Sequence, residues 1–342
     1  MPRSLKILLI VLAAFSLLYA VYWFAAAYVI ERQIKTEIAK QQRADRSLTL
    51  GKIDVSGFPL RFNVYLHEIE FSDQGDGLTF VSDGPLKIKV PSYAPWNFEV
   101  KTGGEHNLFM DGPSGEQTFR IEGAIKFHGQ IGFDQRVKEF FLDASDLRVH
   151  NEEIGMTRIG QLELALFPEE TVTGSRFELR AGPLSLPATL NPGLGSVVEA
   201  LSVDGIVTPF IPKNLNRGHL KVWAAEEGSV LLEAFKMTWG EIDLSANGKI
   251  FFDDKMLPVA AMDLSVDGHK QALKLFADRG LIPPTKAAVL KFSLAAFTKP
   301  KEDGSGQRFL FIPLSLKDLL LKVGPLTLKL PSKIANKLRG LQ

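Results

Sequence analysis

The feature that most constrains this chain is a charge-free run of 24 residues from Ile7 to Ile30, reading ILLIVLAAFSLLYAVYWFAAAYVI. A hydrocarbon core of roughly 30 Å needs about 20 helical residues at 1.5 Å each, so the run is long enough to cross a bilayer. Tyr19, Tyr22, Trp23 and Tyr28 gather in its second half, where amphipathic rings favour the water–lipid boundary. Ala25-Ala26-Ala27 offers the small residues of a signal-peptide cleavage site. Secretory apolar stretches are shorter, about 7–15 residues. The helical pattern also continues past the run, with Ile30, Ile34 and Ile38 four residues apart among charges. Residues 1–30 therefore read as an uncleaved transmembrane signal anchor, 31–46 as a helical extension or linker, and 47–342 as a β-rich domain.

Orientation is a contest between two rules. Arg3 and Lys6 precede the run, while Arg32, Lys35, Lys40, Arg43 and Arg46 come after it. Counting basic residues alone would leave the body in the cytoplasm. A short basic start before a long apolar span is instead the form of a signal anchor, which translocates the chain on its C-terminal side. We take the second reading, which places the body in the periplasm and agrees with the family resemblance carried by motifs further along the chain.

After residue 47 the period falls from helical to two. Phe119, Ile121, Gly123, Ile125, Phe127, Gly129, Ile131 and Phe133 occupy successive odd positions. The even positions between them are mostly polar, as in an antiparallel sheet with one solvated face. Fifteen residues at about 3.3 Å would extend roughly 50 Å, against a usual 17–20 Å. Either this is one long curved strand, with Gly123 and Gly129 permitting the bend, or it folds back near Gly129. The same alternation marks Phe62-Val64-Leu66, Leu86-Ile88-Val90, Leu162-Leu164-Leu166, Leu244 to Phe252, Met262-Leu264-Val266, Leu290-Phe292-Leu294 and Leu326-Leu328-Leu330. Asp83-Gly84, Asp111-Gly112, Asp204-Gly205, Asn247-Gly248 and Asp267-Gly268 are among the turn or bulge candidates. Short helices are expected at His269–Ala277 and Pro331–Leu338. The fold class is mainly β: an N-terminal transmembrane helix, then a large curved antiparallel sheet, groove-like or sandwich-like, with few short helices.

Sequence echoes run through the sheet region. Gly84-Pro85-Leu86-Lys87-Ile88-Lys89-Val90-Pro91-Ser92 returns as Gly324-Pro325-Leu326-Thr327-Leu328-Lys329-Leu330-Pro331-Ser332, with a shorter copy at Gly182-Pro183-Leu184. Their spacing is irregular, so they indicate either a repetitive build or repeated strand-start chemistry. Gly57-Phe58-Pro59 reads as a strand interruption: Pro59 lacks a donor and Gly57 admits backbone conformations closed to other residues, so Phe58 would plug a core beside a bend.

An apolar anchor, then Val55-Ser56-Gly57-Phe58-Pro59-Leu60-Arg61-Phe62, Tyr93-Ala94-Pro95-Trp96 and a closing Val323-Gly324-Pro325-Leu326, resembles the proteobacterial family called domain of unknown function 2125. More loosely, a span leading into strand after strand is similar to the AsmA-like envelope proteins. The wider resemblance implies an inner-membrane anchor and a periplasmic β-sheet curled into an apolar groove associated with lipids. Neither resemblance implies an activity or transfers a functional residue.

The residues supply no reaction either. The chain has no cysteine, which removes disulfides, thiolate metal sites and cysteine nucleophiles together. Lys and Arg number 40 and Asp and Glu 39; without Arg3 and Lys6 the remainder has 38 bases against 39 acids. A near-neutral body argues against nucleic acid as a partner. Gly193-Leu194-Gly195 lacks the third glycine of a dinucleotide loop, and no nucleophile elbow is present. The six histidines include no pair at ligand spacing, and the acidic pairs Glu152-Glu153, Glu169-Glu170, Glu226-Glu227 and Asp253-Asp254 sit beside turn sequence. No catalytic, cofactor or metal residue is assigned. What stands out is 24 phenylalanines against five tyrosines, since Phe has no polar handle and must be kept from water. The side chains Phe119, Ile121, Ile125, Phe127, Ile131 and Phe133 are the candidate apolar groove, and Gly57, Phe58 and Pro59 the candidate structural motif. The expected partners are the membrane, crossed once, and lipid acyl chains. The alternatives are a scaffold whose apolar face is filled from within and an enzyme with a noncontiguous site.

Overall fold

The computed structural model describes residues 3–41, 46–73, 77–112, 115–132, 137–190, 194–210, 217–278, 294–300, 308–324 and 326–329. The apolar run and its charged continuation form one helix, α1 (Arg3–Gln41), 39 residues long. A candidate membrane span occupies Leu9–Thr36. No break separates the two parts, because the extension carries its own local support. Lys35 Nζ donates to Glu31 Oε1 at 2.6 Å across one turn, and Thr36 Oγ1 donates to the Arg32 carbonyl at 2.8 Å.

The chain divides into two compact units: Met1–Val137 with Leu147–Glu153, and Lys138–Asp146 with Ile154–Gln342. Besides α1, the first unit contains β1 (Arg46–Ser56), β2 (Arg61–Asp73), β3 (Leu78–Ser82), β4 (Leu86–Pro91), β5 (Asn97–Thr102), β6 (Glu105–Gly112) and β7 (Gly115–Ile131). All pairings are antiparallel. Strands β3 and β4 are consecutive halves of one path: β3 pairs with Ile69–Asp73 of β2, and β4 with Arg61–Leu66. In the same way β5 and β6 share β7, β6 along its first half and β5 along its second. The result is a meander of five strand paths.

Every path is interrupted at one level. In β1 and β2, Gly51 and Glu68 stand unpaired between Leu50↔Ile69 and Lys52↔His67, with Glu68 at φ 52°. Asp83-Gly84-Pro85 separates β3 from β4, and Gly103-Gly104 separates β5 from β6. In β7 the pairing lapses at Gly123-Ala124, with Gly123 at φ 132°. Gly84 lies against the Gly103 carbonyl so closely that a Cβ there would overlap it. This crease relieves the long strand anticipated at Phe119–Phe133. Strand β7 does not fold back near Gly129, which pairs with Phe98; the strain of a 17-residue strand is taken up at Gly123.

The second unit takes most of β8 (Val137–Asn151), then β9 (Gly155–Pro168), β10 (Ser175–Ser185), β11 (Val197–Val198), β12 (Ala200–Thr208), α2 (Arg217–Ala225), β13 (Ser229–Trp239), β14 (Ile242–Phe252), β15 (Pro258–Asp267), α3 (His269–Asp278), β16 (Thr298–Pro300), β17 (Arg308–Lys317), β18 (Leu320–Val323) and β19 (Leu326–Lys329). It too is an antiparallel meander, β9–β10–β12–β13–β14–β15–β17–β18–β19. One row of directly opposed residues, Leu164–Leu179–Val203–Phe235–Ala246–Leu264–Ile312, crosses seven strands and forms an apolar face. The other face carries ion pairs, Arg180 with Asp204 at 2.6 Å and Arg176 with Glu233 at 2.5 Å. Helix α2 buries Trp223, whose Nε1 donates to the Pro209 carbonyl at 3.2 Å and whose ring meets Phe252 edge-on. The fold is thus mainly β with few short helices, as the alternation indicates. Helix α3 falls where expected, α2 was not anticipated, and Pro331–Leu338 lies outside the described residues.

Candidate functional site

The middle of α1 is fixed to the sheet by aromatic side chains. Trp23 is 3% exposed and stacks on Phe62 with centroids 5.2 Å apart and planes 18° apart. Its Nε1 donates to the Arg61 carbonyl at 3.2 Å. One turn earlier, the Tyr19 hydroxyl donates to the Pro59 carbonyl at 2.7 Å and lies 2.8 Å from Ser92 Oγ. The Gly57-Phe58-Pro59 interruption is therefore the seat of the helix. Gly57 has φ 105°, and a Cβ there would press on the Arg61 carbonyl oxygen. Phe58 differs from the core plug expected of it. It is half exposed and stacks on Phe24 at 5.7 Å, while Trp23 and Phe62 take the buried positions.

Beyond Trp23 the helix runs beside the apolar face of β1 and β2. The crease makes this possible. Below it the inward residues of β2 are Phe62, Val64 and Leu66; above it they are Ile69 and Phe71, a shift of parity at His67-Glu68 that keeps both sets on one side. Between helix and sheet lies a cavity of about 570 Å³ lined by Ile30, Gln33, Ile34, Ile38, Leu48, Leu50, Leu66, Ile69 and Leu86. Among the described residues, Gln33 is the single polar side chain in that lining. The volume falls within the roughly 300–1,000 Å³ of ordinary ligand pockets.

A family model described as an uncharacterized protein conserved in bacteria (DUF2125) matches residues 23–330. The chain belongs to this family. The matched DUF2125 segment takes in Trp23, its seat at Gly57–Phe62 and every residue lining the cavity. No curated protein and no solved structure matches the chain.

Register places the sequence-derived groove residues of this DUF2125 chain on the same sheet face. Phe119 is linked through Leu108, Phe80 and Phe71 to Leu48, and Ile121 through His106, Ser82 and Ile69 to Leu50. Phe127 is linked through Val100, Ile88 and Val64 to Val55. Phe119, Ile121, Ile125 and Phe127 are half-buried and do not line the cavity, which lies at the β1–β2 side under α1. Ile131 is exposed at the end of β7, and Phe133 lies outside the described residues. Sequence reasoning missed the helix side of the cavity as a site. The signal was there in Ile30, Ile34 and Ile38, a stripe continuing beyond the span.

The opposite sheet face is polar. Glu99 receives Lys89 Nζ at 2.8 Å, with Lys101 at 3.7 Å and Lys126 at 3.9 Å, and the hydrogen bond from Lys89 holds its carboxyl below the usual range. At the crease, His106 is buried, stacked against Phe80, with Nδ1 2.8 Å from Ser82 Oγ. Burial pushes its pKa below the ordinary value. Two of the acidic pairs serve their own turns: Asp253 Oδ1 accepts from the amides of Lys255 and Leu257, and Glu169 accepts from Thr171 and from Arg176 Nε at 2.8 Å. Among the described residues no three His, Asp or Glu side chains converge as metal ligands.

Proposed function

We propose that this protein is a noncatalytic, inner-membrane-anchored protein whose body lies in the periplasm and holds lipid acyl chains between α1 and the sheet of its first unit. The observation that carries the reading is the cavity of about 570 Å³, almost wholly apolar, that begins at Ile30, where the charge-free run gives way to the charged continuation of α1. An acyl chain leaving the bilayer along α1 would meet no charged side chain among the cavity's lining residues. Each methylene withdrawn from water contributes about 0.8 kcal/mol, so a long chain supplies its own driving force. Gln33 is placed to hydrogen-bond an ester or amide near the chain's head. Seating of Trp23 and Tyr19 supports an anchor that is kept, because cleavage after Ala27 would remove both.

The test is organic extraction and mass spectrometry of the purified full chain, washed in a detergent without acyl chains. Ile34→Trp and Leu50→Trp fill the cavity from either wall. Near-stoichiometric lipid in the wild type, lost in both variants at unchanged melting temperature, is the expected result. A folded wild-type protein carrying no more lipid than an unrelated anchored control would refute the reading.

A further inference from the structure

The end of the sheet that seats α1 has a surface of its own. Two turns form it, Gly57–Arg61 between β1 and β2 and Pro91–Asn97 between β4 and β5. They present Leu60 at 66% exposure and Tyr93 at 76%, with Phe58, Trp96 and Ile131 also exposed. Across both turns Arg61 is the one charged residue, and neither turn contains an acid. Surface turns in water are built of charge and small polar groups; these are built of aromatic rings, proline and leucine.

Seven of their carbonyls are bonded within the protein as well. The Gly57 carbonyl accepts from Arg61 N at 3.2 Å, the Leu60 carbonyl from Ser92 N at 3.1 Å, and the Trp96 carbonyl from Ile131 N at 2.9 Å. The Pro91 and Ala94 carbonyls accept from Ala94 N and Asn97 N. The Pro59 carbonyl accepts from both Tyr19 and Ser92, and the Arg61 carbonyl from Trp23. Irregular backbone is tolerated at membrane depth only when its polar groups are satisfied from within.

The helix fixes the depth. From Ile7, about 18 Å of helix leads to Tyr19 and about 24 Å to Trp23, both short of the roughly 30 Å that a hydrocarbon core occupies. The turns bonded to Tyr19 and Trp23 must then share that depth. We infer that the paired turns 57–61 and 91–97 enter the bilayer, with Phe58, Leu60, Tyr93 and Trp96 among the acyl chains beneath the headgroups, so that the sheet end and α1 form one membrane-embedded surface. Arg61, at the rim, reaches toward phosphates while its stem stays apolar. The inference rests on the anchor part of the proposed function, not on lipid in the cavity.

Because the chain has no cysteine, single cysteines can report position directly. Leu60→Cys, Tyr93→Cys, Leu12→Cys and Met110→Cys are labelled with an environment-sensitive fluorophore in the full chain, in nanodiscs with and without nitroxide-bearing phospholipid. Met110 is the aqueous reference, since its β7 partner Gln117 is about 40 Å along the strand from Gly129 at about 3.3 Å per residue. The expected result is blue-shifted emission at positions 60 and 93, with most of it lost to lipid nitroxides as at position 12, and neither effect at 110. Quenching at 12 while 60 and 93 behave like 110 overturns the inference and leaves the anchor standing. Absence of quenching at 12 overturns the anchor itself. Labels at 60 and 93 that are shielded from water, unquenched by lipid and coupled between chains would mean that a second copy covers the surface, which also overturns it.

Discussion

Removing the indole of Trp23 separates the anchor from the sheet more cleanly than any other single change. The ring stacks on Phe62, meets Phe58 edge-on at 5.6 Å, and supplies the hydrogen bond to the Arg61 carbonyl. Truncating a buried Trp costs about 3–5 kcal/mol in cores that open to water. Here the lower end applies, because an undocked helix releases much of that aromatic surface into lipid and forfeits mainly packing and the hydrogen bond. About 3 kcal/mol corresponds to roughly a hundredfold rise in the undocked population, at about 1.4 kcal/mol per decade. The ladders of β1 and β2 do not depend on the ring, so Trp23→Ala opens the seat without unfolding the sheet. The assay is amide hydrogen exchange in nanodiscs, where the seat amides of Arg61 and Ser92 in the variant should exchange about a hundredfold faster while the β2 ladder and β7 keep their protection. Trp23→Phe keeps the stacking and loses only the N–H, for about 0.5–1.5 kcal/mol. Wild-type protection in Trp23→Ala, or an equal loss in both variants, would refute the account of how the helix is held.

The crease leads to two further outcomes. Gly84→Ala should be destabilising by about 1–3 kcal/mol or more, because its Cβ meets the Gly103 carbonyl and Gly104 Cα, which are backbone and cannot rotate away. Gly103→Ala, whose Cβ meets nothing within 4 Å, should stay within about 0.5 kcal/mol of wild type; equal melting shifts would show that the close approach is wrong. His106 carries a pH signature. Burial holds its pKa below the ordinary 6.5, so the unfolded chain binds the proton first and stability falls as pH drops from about 6.5 toward the folded value, with no contribution to the slope above it. In His106→Gln the melting temperature should therefore decline less between about pH 7.5 and about pH 5, the remaining slope including that of His269, also lowered by burial. An unchanged slope would remove His106 from the account.

What the sequence makes legible here is periodicity, and what it hides is pairing. The odd-numbered row Phe119–Ile131 announces a strand with one apolar face, and that face exists. Its partner is two strands rather than one, which depends on Gly103-Gly104 lying opposite Gly123-Ala124, a coincidence that no local pattern encodes. The Gly-Pro-Leu echoes show the same limit. Gly84-Pro85-Leu86 comes after a strand break, Gly182-Pro183-Leu184 sits inside β10 opposite Gly160, and Gly324 comes after β18. Gly84, Gly182 and Gly324 stand in different backbone settings, so the repetition reflects shared residue chemistry rather than a repeated unit. Phe58 and Phe62 are indistinguishable as letters; the fold buries one and leaves the other at the edge, because only the register with β4 decides which faces Trp23. The cavity was readable on its helix side and unreadable on its sheet side, since the parity change at Glu68 needs a φ of 52° in a non-glycine residue.

The crease also sets how motion at the membrane travels into the sheet of the first unit. A continuous ladder resists bending because each hydrogen bond constrains the next, whereas a row of interruptions at one level removes that constraint along a line. Below the line the sheet is clamped to α1 through Trp23, Tyr19 and Ser92. Above it, β3, β6 and the first half of β7 are joined to the clamp through the crease. The first unit therefore consists of a mount and an arm joined along the line of glycines and Glu68, and a tilt of the anchor is expected to be taken up at that line, just beside the cavity that Leu50, Ile69, Leu66 and Leu86 line from both sides of it.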